Sequence, residues 1–237
     1  MRTMIKTKAL LVLGAVGFIA AAQAASVDIY KNSTTDLNTR FNPGTLEVGN
    51  QVVLAGTNRF LTTFSFEWWG TNTASASTFA GNIQADVRFY LNNGSTNSGY
   101  AAPGTNFFDS GWFTPGTGTP TPRSTAILFA DAGGGGDFPS GGLFIPANQI
   151  TWTVQFRGMG ATDTVGLDIY GPPSVGANFR DYWQYSAGSW SLQTNSLSTM
   201  GFGALMSATV PEPSTITLSI IGGLCMLTLA RRLGRKE

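Results

Sequence analysis

Hydrophobic and polar residues alternate along much of the chain between residues 26 and 209. From Ile83 to Leu91, the odd positions are apolar and the even positions are mostly polar. The same period of two runs from Phe60 to Trp68, from Thr151 to Arg157 and from Val165 to Ile169. Because successive side chains of a strand point to opposite faces, this period predicts strands with one buried face.

The stretch from Phe60 to Trp68 predicts in particular which side chains are buried. Phe60, Phe64 and Trp68 have the same parity, so they are expected to face the core. Leu61 and Glu67 are expected on the opposite face. Trp69, which follows Trp68 directly, is expected to cover an edge or a loop.

Further short segments of this kind are separated by turn-forming residues at intervals of roughly 8 to 20 residues. No amphipathic helical stretch of convincing length occurs between them. Many short strands with glycine and proline turns predict an all-β fold, and we expect a single jelly-roll-like β-sandwich domain over residues 25–209. The further predicted strands are Val27–Tyr30, Gln51–Leu54, Phe107–Phe113, Ala126–Ala130, Tyr182–Tyr185, Trp190–Gln193 and Gly201–Ser207.

The first 24 residues have the three parts of a secretory signal peptide. Basic residues precede an apolar stretch from Ala9 to Ala22, and Ala22-Gln23-Ala24 forms an A-x-A cleavage site. The apolar stretch is about 14 residues long, which is short for a helix that crosses a bilayer. We therefore expect export by the secretion machinery and cleavage after Ala24, rather than an N-terminal membrane anchor.

An uncharged run of 17 residues, Ser214 to Ala230, lies near the C-terminus. As a helix it would be roughly 25 Å long, at the lower end of what spans a bilayer. Four basic residues follow at once, and by the positive-inside rule they stay cytoplasmic and stop transfer. The run predicts a transmembrane helix over residues 214–230, with the body of the protein outside; a buried helix is the alternative. The basic residues are Arg231, Arg232, Arg235 and Lys236.

The triplet Pro211-Glu212-Pro213 directly precedes this run. Triplet, apolar run and basic end, over residues 210–237, resemble the PEP-CTERM sorting signal of exported proteins in Gram-negative bacteria that make exopolysaccharide. The resemblance implies that Pro211, Glu212 and Pro213 are recognised by an exosortase, a membrane-embedded cysteine transpeptidase that processes the chain near them. The two prolines also favour extended backbone, the form that a protease cleft takes up. A helix-capping role of the triplet is the alternative.

Composition narrows the functional classes further. Without residues 1–24 and 214–237, the body keeps seven basic and 12 acidic residues, a net charge of −5. This mildly acidic balance argues against nucleic acid binding. The chain has no histidine, and its single cysteine, Cys225, lies in the apolar run. These facts exclude Ser-His-Asp triads, Cys-His dyads and histidine metal sites, and we expect neither enzyme activity nor a cofactor.

Two aspartates, Asp131 and Asp137, flank a run of four glycines. Oxygen ligands on a flexible loop suit calcium, but the spacing is not that of an EF-hand. We therefore expect a solvated hairpin loop here, with a weak calcium site as the alternative.

Aromatic residues provide candidates for sugar binding. Trp69 follows Glu67 by two positions, and Tyr182 and Trp183 form a second aromatic group. Such rings can stack on the apolar faces of sugars, although large aromatic residues mostly serve protein cores. Trp69, Tyr182 and Trp183 are therefore candidate sugar contacts, with core packing as the favoured interpretation.

Together these features predict an exported protein that is first anchored in the inner membrane and then reaches the cell surface or extracellular matrix. We expect a structural or adhesive role in an exopolysaccharide matrix. A carbohydrate-binding module is the alternative. A polysaccharide hydrolase is a third possibility, but it needs two carboxylates flanking the sugar. Besides its aspartates, the body before Pro211 offers only Glu47 and Glu67 for this role.

Overall fold

The protein is all-β. The computed structural model describes residues 25–194 and 201–210, and these residues form sixteen strands and no helix. Over the same residues, no helix is long and apolar enough to span a bilayer. The predicted signal peptide, the Pro-Glu-Pro triplet and the predicted transmembrane segment lie outside the described residues.

The strands range from two to 13 residues, and β4 is the longest. They are β1 (Ser26–Asn32), β2 (Asp36–Phe41), β3 (Glu47–Val53), β4 (Phe60–Asn72), β5 (Gln84–Leu91), β6 (Thr96–Asn97), β7 (Tyr100–Ala101), β8 (Asn106–Asp109), β9 (Thr121–Phe129), β10 (Leu143–Phe144), β11 (Gln149–Arg157), β12 (Asp163–Tyr170), β13 (Ala177–Ser186), β14 (Ser189–Gln193), β15 (Gly201–Phe202) and β16 (Ala204–Thr209).

Two large antiparallel sheets make up most of the described residues, in a sandwich-like arrangement. Sheet A has eight strands in the order β1-β16-β4-β12-β15, with β9 and β10 paired to β4 and β2 paired to β12. Sheet B has six strands in the order β14-β13-β3-β11-β5-β8. A small hairpin, β6 and β7, forms a third sheet. The all-β prediction is thereby confirmed.

The core lies between sheets A and B and is rich in aromatic rings. The Phe64 ring centroid of sheet A lies 5.1 Å from that of Phe89 and 5.3 Å from that of Trp152, both in sheet B. Phe66 meets Phe156 in the same way at 6.4 Å. All five side chains are fully buried. Burial of such large apolar side chains contributes about 1.5–3 kcal/mol each to the free energy of folding.

A β-bulge in β4 reverses the predicted faces of its first two residues. The register of β4 against β16 shifts between the pairs Thr63↔Ser207 and Leu61↔Ala208, so one extra residue lies on β4. As a result Leu61 is fully buried and Phe60 is 46% exposed, which makes the prediction for these two positions wrong. Beyond the bulge, the predicted inner aromatic residues of β4 are buried.

Sheet A forks where β4 and β12 separate. The two strands are paired up to Trp68 and Leu167. Beyond this point β16 pairs with β4, and β15 pairs with β12. Gly203, between β15 and β16, joins the two branches: its N–H donates to the Asp168 carbonyl at 3.0 Å, and its carbonyl accepts from the Glu67 N–H at 2.9 Å.

The first and last described strands lie side by side. β1 pairs antiparallel with β16, and Ser26 is opposite Thr209. One residue further, the Val210 N–H donates to the Ala25 carbonyl at 2.8 Å. Residues that adjoin the predicted signal cleavage site and the Pro-Glu-Pro triplet are therefore neighbours at one end of sheet A.

Gly203 has no space for a side chain. A Cβ there would lie 2.5 Å from the Tyr170 ring and 2.9 Å from the Glu67 Cβ. We expect Gly203→Ala to lower the free energy of unfolding by about 1–3 kcal/mol, because the Tyr170 ring or a strand must shift. Chemical denaturation measures this change.

Gly135→Ala is the matched control. A Cβ at Gly135 would make only an ordinary contact, 3.4 Å from an Asp131 side-chain oxygen. Its free energy of unfolding should stay within about 0.5 kcal/mol of the unchanged protein. If Gly203→Ala and Gly135→Ala are equally stable, the proposed role of Gly203 at the fork is wrong.

Candidate functional site

A group of charged residues lies on the outer face of sheet A, beside the fork. It draws on β2, β4, β9 and β12, which the fork brings together. We call it the fork cluster, and its members are Asp36, Arg40, Glu67, Arg123, Asp168 and Tyr170.

Two arginines hold the carboxylates of the fork cluster together. Arg40 places Nε 2.9 Å from Asp168 Oδ1 and Nη1 3.3 Å from Asp36 Oδ1. Arg123 places Nη1 3.2 Å from Asp36 Oδ2 and Nε 3.6 Å from Glu67 Oε2. Three carboxylates against two guanidinium groups give a net charge of −1 when all five are ionised. Asp168 is fully buried, whereas the Arg123 side chain is 48% exposed.

Several buried polar atoms of this region form no hydrogen bond with any described residue. They are both carboxylate oxygens of Asp168, Glu67 Oε2, the Tyr170 hydroxyl and Trp69 Nε1. Of these, Asp168 Oδ1 and Glu67 Oε2 have ion-pair partners in Arg40 and Arg123. The other oxygen of Glu67, Oε1, accepts from the Thr125 hydroxyl at 2.9 Å. Buried polar groups in folded proteins nearly always have a hydrogen-bond partner. Buried water or a polar ligand can satisfy such groups, so their concentration at one place makes this region a candidate binding site.

The Tyr170 ring lies between the floor of the fork and Arg123. It packs against Gly203, and the Arg123 guanidinium carbon lies 5.6 Å from the ring centroid. Tyr170 is 1% exposed. Burial raises the pKa of Tyr170 to about 12, and the negative charge of Glu67 acts in the same direction. The hydroxyl therefore lies within the field of the carboxylates.

Burial also shifts the carboxyl groups themselves. It raises the pKa of Asp168 to about 7, although the positive charge of Arg40 opposes this change. Burial likewise raises the pKa of Glu67. For Asp36, burial is outweighed by hydrogen bonds from a backbone N–H and from the two arginines, so its pKa is lowered. Two carboxyl groups of the cluster thus bind protons more tightly than in water.

Trp69 adjoins the fork cluster on the same outer face. It stands opposite Gly166 of β12, two positions along β4 from Glu67. A Cβ on Gly166 would lie 2.9 Å from Trp69 Nε1, so the glycine makes room for the indole. Trp69 is only partly buried. Part of an aromatic ring is therefore exposed beside buried carboxylates.

An open pocket lies at residues that adjoin Trp69 and Arg123 in the sequence. It has a volume of about 290 Å³ and is lined by Gly70–Asn72, Ala76 and residues 120–122. Gly70 follows Trp69 in β4, and Pro122 precedes Arg123 in β9. The pocket lining thus adjoins Trp69 and Arg123 in the sequence, but neither residue lines it.

Sheet B carries a second charged group on its own outer face, centred on Arg88. Its Nη1 donates to Glu47 Oε2 and its Nε donates to Asp109 Oδ2, both at 2.8 Å, and its Nη2 contacts Asp86. Glu47 Oε1 accepts two more hydrogen bonds, at 2.7 and 3.0 Å, from neighbouring hydroxyls. Arg88 and Glu47 are thus well paired within the protein, which suits a structural role. The two hydroxyls are those of Thr153 and Tyr90.

The structure does not bring the three predicted sugar contacts together. Tyr182 and Trp183 are adjacent on β13, so they face opposite sides of sheet B. Tyr182 packs towards the core, 5.0 Å from the Phe41 ring. Trp183 is fully buried and donates from Nε1 to Gln51 Oε1 at 3.2 Å. Trp69 belongs to sheet A, so no common platform forms.

Asp131 and Asp137 each serve their own loop. Asp131 accepts from the Gly133 N–H, and Asp137 accepts from the Phe129 N–H, both at 3.0 Å. Both aspartates are exposed. In residues 25–194 and 201–210, no three acidic or cysteine side chains are grouped to hold a metal ion. These contacts suit the expected solvated loop. In the described residues they do not form a group of ligands for calcium.

Most of the fork cluster was not predicted from the sequence. The sequence links Glu67 with Trp69, two positions away, but nothing in it links them with Asp36, Arg40 or Asp168. The one available signal was the alternation from Val165 to Ile169, which places the carboxylate of Asp168 on the outer face.

Comparison with known proteins adds no further candidate for this site. No protein-family model, curated protein or solved structure matches the chain. The interpretation of the fork cluster therefore rests on its geometry.

We expect Asp168→Asn to change how stability depends on pH. The pKa of Asp168 is raised from about 3.9 in the unfolded chain to about 7. The folded state therefore binds the proton more tightly, and its free energy of unfolding falls as the pH rises between these values. In the variant, the free energy of unfolding should fall less between pH 5 and pH 8, as measured by urea denaturation.

Asp163→Asn is the control for this experiment. Asp163 accepts hydrogen bonds from three backbone N–H groups, which outweigh burial and lower its pKa. Its loss should reduce stability but leave the slope between pH 5 and pH 8 unchanged, because the group is ionised in both states there. Parallel curves for the unchanged protein and Asp168→Asn would contradict the buried-carboxyl account.

Proposed function

We propose that this protein is exported, sorted through its C-terminal signal and retained in an exopolysaccharide matrix, where it has a structural or adhesive role. The observation that carries the proposal is the order of Pro211-Glu212-Pro213, apolar run and basic end. The final location would be the cell surface or extracellular matrix of a Gram-negative bacterium. The partners would be the secretion machinery, an exosortase-type transpeptidase and extracellular polysaccharide.

The pairing of the two ends of the described domain supports this proposal. The Val210 N–H donates to the Ala25 carbonyl, so the strand pairing runs from the predicted cleavage point to the residue before Pro211. Removal of residues 1–24 and of the segment after the triplet would leave sheet A intact. Both processing sites would thus adjoin the folded domain without cutting it.

We also propose a jelly-roll-like sandwich as the specific fold. From β3 to β13, the long strands alternate between sheets as the chain proceeds: β4, β9 and β12 join sheet A, and β5 and β11 join sheet B. Such alternation is typical of a double-sheet roll.

Carbohydrate binding is the second candidate function, and one observation favours it. Trp69 is partly exposed on the same outer face of sheet A as Glu67 and Arg123. An aromatic surface beside carboxylate and guanidinium groups provides both the apolar and the polar contacts that a sugar needs.

A hydrolase is less well supported than either function. Glu47 and Glu67 lie on the outer faces of different sheets, so they do not face one another across a groove. A glycosidase needs two carboxyl groups on either side of one glycosidic bond. The carboxylates that do lie together, Asp36, Glu67 and Asp168, are on one face of sheet A and are ion-paired with Arg40 and Arg123. They do not form two opposed groups, and we propose a protein without enzyme activity.

Mass spectrometry of the mature protein from its native host tests the sorting proposal. The expected C-terminus lies near residues 211–214, and the expected N-terminus is Ala25. Replacing Pro211 and Pro213 by alanine should leave the C-terminal segment attached, since the resemblance assigns recognition to the triplet. Thr217→Ala, within the apolar run, is the control and should be processed normally. Intact Glu237 on the surface-located protein would refute the proposal.

A further inference from the structure

We propose that the fork cluster and Trp69 form a binding site for a neutral, hydroxyl-rich saccharide rather than for an acidic one. This inference rests on the carbohydrate-binding function proposed above and names its ligand class. It would give the matrix role a specific point of contact.

The polar half of the site offers acceptors and donors that the protein leaves unpaired. Asp168 Oδ2 has neither a hydrogen bond nor an ion pair with any described residue, and the Tyr170 hydroxyl and Trp69 Nε1 form no hydrogen bond with one. Asp168 Oδ1 and Glu67 Oε2 are held by ion pairs with Arg40 and Arg123. Sugar hydroxyls both donate and accept, so they match this mixture. A ligand that only accepts would leave Asp168 Oδ2 unsatisfied.

The apolar half of the site is the partly exposed ring of Trp69. Its indole lies against Gly166, where the missing side chain allows close approach to the sheet. Aromatic rings offer large rigid surfaces at low cost in conformational entropy.

Charge favours a neutral ligand. The ionised cluster carries a net charge of −1, and both Arg40 and Arg123 already pair with carboxylates. A uronic acid would bring another negative charge near Asp36 and Glu67, and like charges in a poorly hydrated site repel strongly. It would have to displace an existing ion pair to gain a guanidinium partner.

Arg123 provides access to the buried groups. Its side chain is 48% exposed, and its contacts with Asp36 and Glu67 are 3.2 and 3.6 Å long. Exposed ion pairs of this kind contribute little stability, so Arg123 can move at low cost. Its guanidinium lies over the Tyr170 ring, so its displacement would open that side of the ring and leave the guanidinium able to donate to a sugar.

Binding to immobilised and soluble polysaccharides tests the inference. The full chain, purified in a detergent without sugar groups, is assayed against neutral dextran, mannan and galactan and against acidic alginate and polygalacturonate. We expect binding to at least one neutral polymer and none to the acidic ones. Trp69→Ala should weaken the binding about tenfold or more, Trp69→Phe should weaken it less, and Glu67→Gln should weaken it several-fold.

Tyr185→Ala is the matched control, because Tyr185 is an exposed aromatic residue of the other sheet. It should bind within about twofold of the unchanged protein. Thermal melting of every variant separates lost binding from lost folding, and Glu67→Gln preserves shape if Trp69→Ala fails to fold.

Three outcomes would overturn the inference: binding of acidic polymers alone, no binding of any neutral polymer, and neutral binding that survives in the folded Trp69 and Glu67 variants. The sorting proposal is tested separately by the processed termini, so its failure would not change the interpretation of the binding experiment.

Discussion

The two hydrogen bonds of Gly203 are the constraint on which the outer face of sheet A depends. They join the Glu67 and Asp168 backbones to one residue placed between them, where β4 and β12 would otherwise pair directly. Neighbouring strands lie about 4.7–4.9 Å apart. A residue placed between β4 and β12 therefore roughly doubles the distance between the backbones of Glu67 and Asp168. The absent side chain then leaves the floor free for the Tyr170 ring, and Arg123 lies above that ring. A single glycine thus determines both the topology of the sheet and the layering of the site.

Both sheets bury carboxylates on their outer faces, and they meet the electrostatic cost differently. Loss of hydration disfavours a buried charge unless ion pairs and hydrogen bonds replace it. Around Arg88, guanidinium nitrogens and hydroxyls engage both oxygens of Glu47. Burial raises a carboxyl pKa in both groups, that of Asp86 beside Arg88 and that of Asp168 in the fork cluster. Around Asp168, however, several polar atoms also lack a hydrogen bond with any described residue. Proteins break the rule of polar satisfaction chiefly at functional sites, so the difference favours sheet A as the binding face.

The hydrophobic pattern located the long strands because each has one face on the core, but it gave only part of β3, β9 and β13. It failed at Phe60 and Leu61, since a bulge inserts one residue and inverts the parity upstream. It also missed β2, whose residues Asp36–Phe41 are mostly polar and show no clear alternation. That strand supplies Asp36 and Arg40, so without it the ion pairs of the fork cluster could not be predicted. The fork itself joins residues far apart in sequence, which local patterns do not encode. The export and sorting segments stay predictions from sequence.

The position of the site relative to the chain ends bears on how the protein could work while tethered. Ala208 stands opposite Leu61, so the chain leaves β16 near the beginning of β4. Trp69 lies eight residues further along β4, which corresponds to roughly 26 Å at about 3.3 Å per residue. A domain held at Val210 would therefore carry Trp69 towards the far end of its longest strand, with the fork cluster nearer the middle. A membrane surface at the tether would leave that end free for polymer in the matrix. The same arrangement would persist after processing at the triplet, because the new attachment point would lie at the same end of β16.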